Sequence, residues 1–200
     1  MSSSQQVLRR RNAAGHGAAV LSEVLRNPGT PAPITAPPST VDALKEHGNT
    51  YHFDSFSVVD ALELGHLLHA RLHPIADTQP TLISIALANT QQVIFQTVTG
   101  RGLMPDNERW VARKRNSVLR WGVSSYFLSL KYSGDEAAFA AKFAMSPEQA
   151  STYAIHGGGV PIRVAGVEGV VAVVVVSGLK QTEDHGVIMD VIAENWEVVN

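Results

Sequence analysis

Seven consecutive apolar residues, Val170-Val171-Ala172-Val173-Val174-Val175-Val176, constrain this chain more than any other feature in it. The run is dominated by β-branched side chains and bounded by Gly169 and Ser177-Gly178. It is far shorter than the roughly 18 residues that a membrane-spanning helix requires, so it reads as a buried strand. Val160–Val164 precedes it across a turn containing Gly166 and Gly169, and the two segments read as a β-hairpin. No other segment is long and apolar enough to suggest a membrane span.

A second hairpin lies earlier. Thr81–Ala88 and Gln92–Thr99 are apolar, β-branched runs joined by Asn89-Thr90-Gln91. Helical periodicities separate and flank the two. Ser57 is a plausible cap for a helix reaching Leu72, with Val58, Ala61, Leu62, Gly65, Leu68 and Leu72 at helical spacing and Pro74 as the stop. A long helix is expected from about Asn107 to Lys131, capped by Asp106 or Asn107. Its apolar stripes hold Val111, Val118, Trp121 and Leu128, then Ala112, Leu119, Val123, Tyr126 and Leu130, and Arg113, Ser117, Arg120 and Ser124 form its wet face. A short helix is expected at about Val41–His47, ahead of these; others follow at about Asp135–Phe143 and Glu148–Tyr153, and a last one runs from about Thr182 to Trp196. The order predicts an α/β fold of the α+β type: a single central antiparallel sheet built from two hairpins, with helices packed against it.

Residues 1–40 differ from the rest. Pro28, Pro31, Pro33, Pro37 and Pro38 crowd together among Ser, Thr and Ala. Proline lacks a backbone donor and restrains its neighbours, so the segment is expected to be a flexible arm, with room for a short helix around Ala18–Arg26, ahead of a domain spanning 41–200. Arg9, Arg10 and Arg11 precede the first acidic residue, Glu23, which is a weak transit-peptide signature and makes a mitochondrial location the alternative to a cytoplasmic one.

Composition narrows the function classes. The 200 residues carry a formal charge of −2, which argues against a protein that coats nucleic acid or an anionic membrane. The four arginines and one lysine between Arg109 and Arg120 circle their helix without forming one basic face. Cysteine is absent, which excludes disulfides, thiolate metal sites, iron–sulfur clusters and a cysteine nucleophile.

Two stretches carry a resemblance. One is Pro105-Asp106-Asn107-Glu108-Arg109-Trp110-Val111-Ala112-Arg113-Lys114-Arg115-Asn116, continuing to Ser124-Ser125-Tyr126. The other is His156-Gly157-Gly158-Gly159-Val160-Pro161-Ile162-Arg163-Val164, followed by Val176-Ser177-Gly178-Leu179 and Glu183-Asp184-His185. Together they are similar to the haem-degrading-domain family (HbpS/GlcG-like), within its small branch of uncharacterised proteins, over about residues 41–197. The resemblance implies an α/β fold around an antiparallel sheet and assembly into homo-oligomers. It also implies haem or a related small ligand, without implying that haem is degraded.

Each candidate site has a functional and a structural explanation. The glycines of His156-Gly157-Gly158-Gly159 let backbone amides approach a ligand, and the imidazole is able to ligate iron or exchange a proton; a sharp strand entry explains the same residues. Lys114 and Asn116 fall inside the apolar stripes, where polar groups need partners. With Arg109 or Arg113 they would meet a ligand's acidic groups, or they pair with the protein's own carboxylates or a neighbouring subunit. His185 and Asp184 open the last helix near the Ser177-Gly178 strand end and are candidate acid–base groups, although carboxylates there also complement the helix dipole. His66, His69 and His73 share one helix side, but no accompanying signature makes them a metal site. No metal ligands are assigned. The sequence therefore points first to a small-ligand-binding homo-oligomer. An oligomeric adaptor recruiting a protein partner through its N-terminal arm, and a cofactor-free enzyme using histidine acid–base groups, are the alternatives.

Overall fold

A computed structural model describes residues 6–199 of the chain. In chain order the elements are β1 (Val7–Arg10), α1 (His16–Arg26), α2 (Val41–Glu46), β2 (Tyr51–Phe53), α3 (Val58–Leu72), β3 (Leu82–Leu87), β4 (Val93–Val98), α4 (Asp106–Trp121), α5 (Ser125–Lys131), α6 (Glu136–Lys142), α7 (Pro147–Ala150), β5 (Gly159–Val164), β6 (Ala172–Ser177), α8 (Gln181–Asn195) and β7 (Trp196–Val199). A single 3-10 turn, His73–Ile75, ends α3 at Pro74.

The strands form one sheet in the order β4-β3-β6-β5-β2-β1-β7. The two expected hairpins, β3–β4 and β5–β6, build its antiparallel half, with β3 paired to β6 between them. The other half is not made of hairpins. β2 runs parallel to both β5 and β1, and β1 is antiparallel to β7. The α/β fold thus stands, with a sheet that is mixed and mostly antiparallel.

Every residue of β6 is buried because helices cover both of its faces. Val174 and Val176 join Ile83, Ile85, Val160 and Ile162 beneath α3 and α8, whose Leu64, Leu68, Ile188 and Ile192 complete that core. Val173 and Val175 point the other way, onto Val111 and Val118 of α4. Period-two alternation sends successive side chains to opposite faces, so a strand covered on both sides needs apolar residues at every position. A satellite cluster of Leu128, Phe139 and Ile155 gathers α5 and α6 around Trp121.

The long helix expected from Asn107 to Lys131 is two helices. Gly122 takes the left-handed conformation (φ 65°) that closes α4, and the Ser124 hydroxyl accepts the Phe127 N–H to open α5. Ser117 and Ser124, expected on a wet face, are fully buried. The expected cap is also displaced, since Pro105 occupies the cap position and the Asn107 side chain accepts the Met104 N–H instead.

The N-terminal segment departs furthest from a flexible arm. Residues 1–5 of it lie outside the described residues. β1 is an interior strand of the sheet, and the three arginines meet carboxylates of the domain: Arg9 with Asp54 at 2.6 Å, Arg10 with Asp60 at 3.1 Å and Arg11 with Glu197 at 3.8 Å. α1 packs on α3 through Gly17, which leaves no room for a side chain against the Glu63 carbonyl. The proline stretch has no helix or strand, as expected, yet it is tied down as a strap. Arg71 donates to the Ala32 and Pro33 carbonyls, the Thr35 N–H donates to Asp190, and Gly186 of α8 admits the Thr35 carbonyl at close range. The boundary at residue 41 is therefore not a boundary of the folded unit.

Glu63 fastens α1. Its buried carboxylate accepts the N–H groups of Gly15 and Gly17, at the end of the helix where the peptide dipoles favour negative charge. Glu63→Ala is expected to lower stability in urea by about 2–3 kcal/mol and to accelerate amide exchange along α1. Unchanged exchange there would show that α1 is held by packing alone.

Candidate functional site

The structure gathers three sequence-separated segments into one cleft of about 250 Å³, lined by Asn107, Trp110 and Lys114 of α4, by His156, and by Ser177, Gly178, Leu179, Gln181 and Asp184. α4 is placed across the sheet by Val111 and Val118, and its residues 107, 110 and 114 recur at intervals of three and four, so they share the face turned to the cleft. β6 ends at Ser177, and the chain turns at Gly178 (φ 153°) into α8.

His156 is presented by a tightly held turn. The buried Ser117 hydroxyl exchanges hydrogen bonds with both backbone groups of Ala154. Gly157 donates its N–H to the Gln181 side chain at 3.2 Å, Gly159 donates to the Ser125 hydroxyl at 2.9 Å, and the Gly158 carbonyl accepts the Val176 N–H. The glycines fit by close packing. A Cβ on Gly158, whose φ is 109°, would collide with the Val176 carbonyl and stand 2.9 Å from the Lys114 nitrogen. The amides of Gly157 and Gly159, expected to line a ligand, are thus occupied within the fold.

At the floor of the cleft Lys114 and Asp184 form an ion pair, Nζ to Oδ2 2.8 Å, with both side chains almost wholly excluded from solvent. Lys114 also donates to the Val176 carbonyl at 3.0 Å, and Asp184 Oδ1 accepts the Leu179 N–H at 2.9 Å. Burial pushes the Asp184 carboxyl up to about 6, against the opposing pull of the Lys114 ammonium and the backbone donors. His156 stands in the cleft wall, half-exposed. Its ring meets the Trp110 indole edge-to-face at 4.9 Å, and Nδ1 lies 3.5 Å from Glu136, which also takes Arg113 at 3.2 Å. Burial lowers the His156 pKa; Glu136 opposes that shift, while Lys114 and Arg113 add to it, so the ring favours its neutral form at neutral pH.

The remaining candidates lie elsewhere. His185 is fully buried behind Asp184, its Nε2–H donating to the Gly48 carbonyl at 2.9 Å, and it does not line the cleft. Arg109 is exposed, and Asn116 donates to the Thr152 carbonyl away from the cleft. His69 and His73 meet ring to ring at 6.0 Å, while His66 packs on Phe95. Asn107, Trp110, Leu179 and Gln181 were not singled out from sequence. The spacing of Asn107 and Trp110 relative to Lys114 was the available signal.

The fold is thus a mixed sheet covered on both faces, with a polar cleft where β6 passes into α8. Residues 56–193 match the family described as haem degrading protein HbpS-like, and the chain belongs to that family. It is 38% identical over 143 residues to a UPF0303 protein of Brucella anthropi, covering 72% of this chain and 79% of the relative. A UPF0303 protein of Streptomyces coelicolor is 36% identical over 158 residues, covering 79% and 93%. Among solved structures the chain is similar to the Ybr137w protein, with a TM-score of 0.68 and 30% identity over 87% of this chain and 92% of that one. The Klebsiella pneumoniae protein ORFY, at a TM-score of 0.51 and 14% identity over 69% and 90%, shares the fold. No helix among the described residues is long and apolar enough to cross a membrane.

Proposed function

We propose that this protein binds a small polar metabolite in the cleft between α4, the His156 turn and the start of α8. The observation that carries the reading is the convergence of a buried Lys114–Asp184 pair with His156 in one cleft. Ionisable groups are costly to bury, and a charge pair set against an opening rather than sealed in the core is the common arrangement of a ligand site. Lysine has three donors. Two go to Asp184 and Val176, and the third has no protein partner among the described residues, which suits a ligand oxygen. Asn107, Ser177 and Gln181 supply further polar contacts, and Trp110 an apolar wall.

Haem, the ligand carried in the family's description, does not fit inside this cleft. A macrocycle needs two broad apolar faces, whereas the cleft, at about 250 Å³, is smaller than the roughly 300–1,000 Å³ pockets that enclose drug-sized ligands, and only Trp110 and Leu179 among its lining are apolar. Small hydroxy and oxo acids suit its size and polarity. Native mass spectrometry of the gently purified protein, followed by calorimetry with such acids, is expected to find one saturable site per chain, and binding that is lost on Trp110→Ala. Saturable haemin binding with a Soret band that survives Trp110→Ala would overturn this reading.

A second reading, proton-transfer catalysis, is favoured by the same His156 and Asp184 facing one cleft, and no longer includes His185. Homo-oligomeric assembly is supported by the exposed Val58, Val59 and Leu62 at the start of α3. The adaptor reading loses its arm, because the segment that would recruit a partner is built into the sheet and strapped across α8.

A further inference from the structure

We propose that the ligand of this cleft is a small carbonyl compound and that Lys114 holds it covalently, as a reversible imine; the inference rests on the cleft being a ligand site. Three features of the geometry point to it. Lys114 is the sole lysine of the cleft, and its nitrogen is fixed by the Asp184 carboxylate and the Val176 carbonyl, so its remaining bond direction is set before any ligand arrives. Gly158 packs directly against the pair and has no side chain to crowd the nitrogen, since a Cβ there would come within 2.9 Å of it. The partner is a carboxylate almost wholly excluded from solvent at the floor of the cleft, placed at proton-transfer distance. A lysine attacks a carbonyl only after giving up a proton, and the Asp184 oxygen at 2.8 Å is placed to take it. The upward shift of the Asp184 carboxyl agrees with this role.

The step balances within the pair. The Lys114 ammonium passes a proton to Asp184, and the amine lone pair attacks the carbonyl carbon, forming a C–N bond as the C=O π electrons move to oxygen. A proton moves from nitrogen to that oxygen, giving a carbinolamine. Asp184 then returns its proton to the hydroxyl, which leaves as one water molecule, and the resulting iminium is paired with the Asp184 carboxylate as the ammonium was. No oxidant or reductant is required. The polar lining of Asn107, Ser177 and Gln181 selects short carbonyl compounds that also carry hydroxyl or carboxylate groups.

The test uses the intact wild-type protein, so it does not depend on a variant that fails to fold. Pyruvate, glycolaldehyde and dihydroxyacetone are each incubated with the protein and sodium cyanoborohydride, and the digest is mapped by mass spectrometry. At least one probe is expected to add its own mass less one oxygen atom to Lys114. That labelling should saturate with concentration and exceed labelling of the exposed Lys45, Lys131, Lys142 and Lys180 by about an order of magnitude, because positioning raises the local concentration of reactants. Labels that follow exposure and spare Lys114 with all three probes overturn the inference. Calorimetry with lactate and glycerol, which lack a carbonyl, separates the two levels. Binding of either without labelling of Lys114 leaves a non-covalent ligand site standing, whereas absence of both binding and labelling removes the imine and the metabolite site together.

Discussion

Lys114→Met is expected to destabilise the fold by about 3–5 kcal/mol, the usual consequence of leaving one member of a buried ion pair without the other. Asp184 is 2% exposed and would keep only its backbone donors. Without the ammonium that holds it down, its pKa rises above the value of about 6, and the carboxyl escapes its burial by binding a proton. A carboxyl whose folded pKa lies above its unfolded value weakens the fold as pH rises through the folded pKa. The loss in Lys114→Met should therefore be larger near pH 8 than near pH 5. Urea unfolding at the two pH values measures it directly. Replacing both residues, Lys114→Met with Asp184→Leu, removes the orphaned charge and should recover most of the stability. A double variant as unstable as the single one would show that the lysine contributes through packing of its stem and not through charge.

The second large effect comes from the neighbour of Asp184. His185 is fully buried against the Tyr126 ring, with Nε2–H on the Gly48 carbonyl and an Nδ1 that has no hydrogen-bond partner among the described residues. Burial lowers its pKa from 6.5 to about 4, opposed by the Gly48 bond and aided by the Lys114 charge. The unfolded chain thus takes up this proton well before the folded one does. As pH falls from 6.5 toward 4 the fold loses about 1.4 kcal/mol per unit, on the order of 3 kcal/mol in all. Asp184 acts in the opposite sense, because its folded carboxyl binds a proton near 6 whereas an unfolded one does so near 3.8, so its contribution grows as pH falls across that window. Between about pH 4 and 6 the two nearly offset each other. Relative to wild type, His185→Gln should become progressively more stable on acidification and Asp184→Asn progressively less so. Stability curves of wild type and His185→Gln that run parallel from pH 7 to 4 would sink the assignment.

The parts of the fold that sequence reading recovered are those with a strong local period. The β6 valine run, both hairpins, the Ser57 cap, the stop at Pro74 and the span of α8 are each encoded within a few residues of where they occur. β1, β2 and β7 are three or four residues long and are strands because of what lies beside them: Val7 pairs with Val199, and Tyr51 with Ile162. Nothing local announces such partners, so proline content dominated the reading of the first forty residues. Gly122 misled for another reason. The apolar stripes continue through it into α5, and one glycine in an amphipathic pattern is as compatible with a tolerated interior residue as with a left-handed cap. At the site, the need of Lys114 for a partner followed from its place among apolar neighbours. That the partner is Asp184 depends on how α4 crosses β6, which only the assembled sheet determines.

The placement of β1 has a consequence for synthesis. It lies between β2 and β7, with Leu8 opposite Phe53 on one side and Val198 on the other. A ribosome makes β1 before the other six strands of the sheet and β7 after them, so until β7 emerges β1 has at most one neighbour. Until residue 199 emerges, its second edge offers unpaired N–H and C=O groups to any passing strand. Pairing between strands so distant in sequence is slow to form, because every residue between them must be closed into a loop before it is rewarded. The antiparallel half of the sheet, closed by the hairpins β3–β4 and β5–β6, is thus able to form before β1 gains its second neighbour.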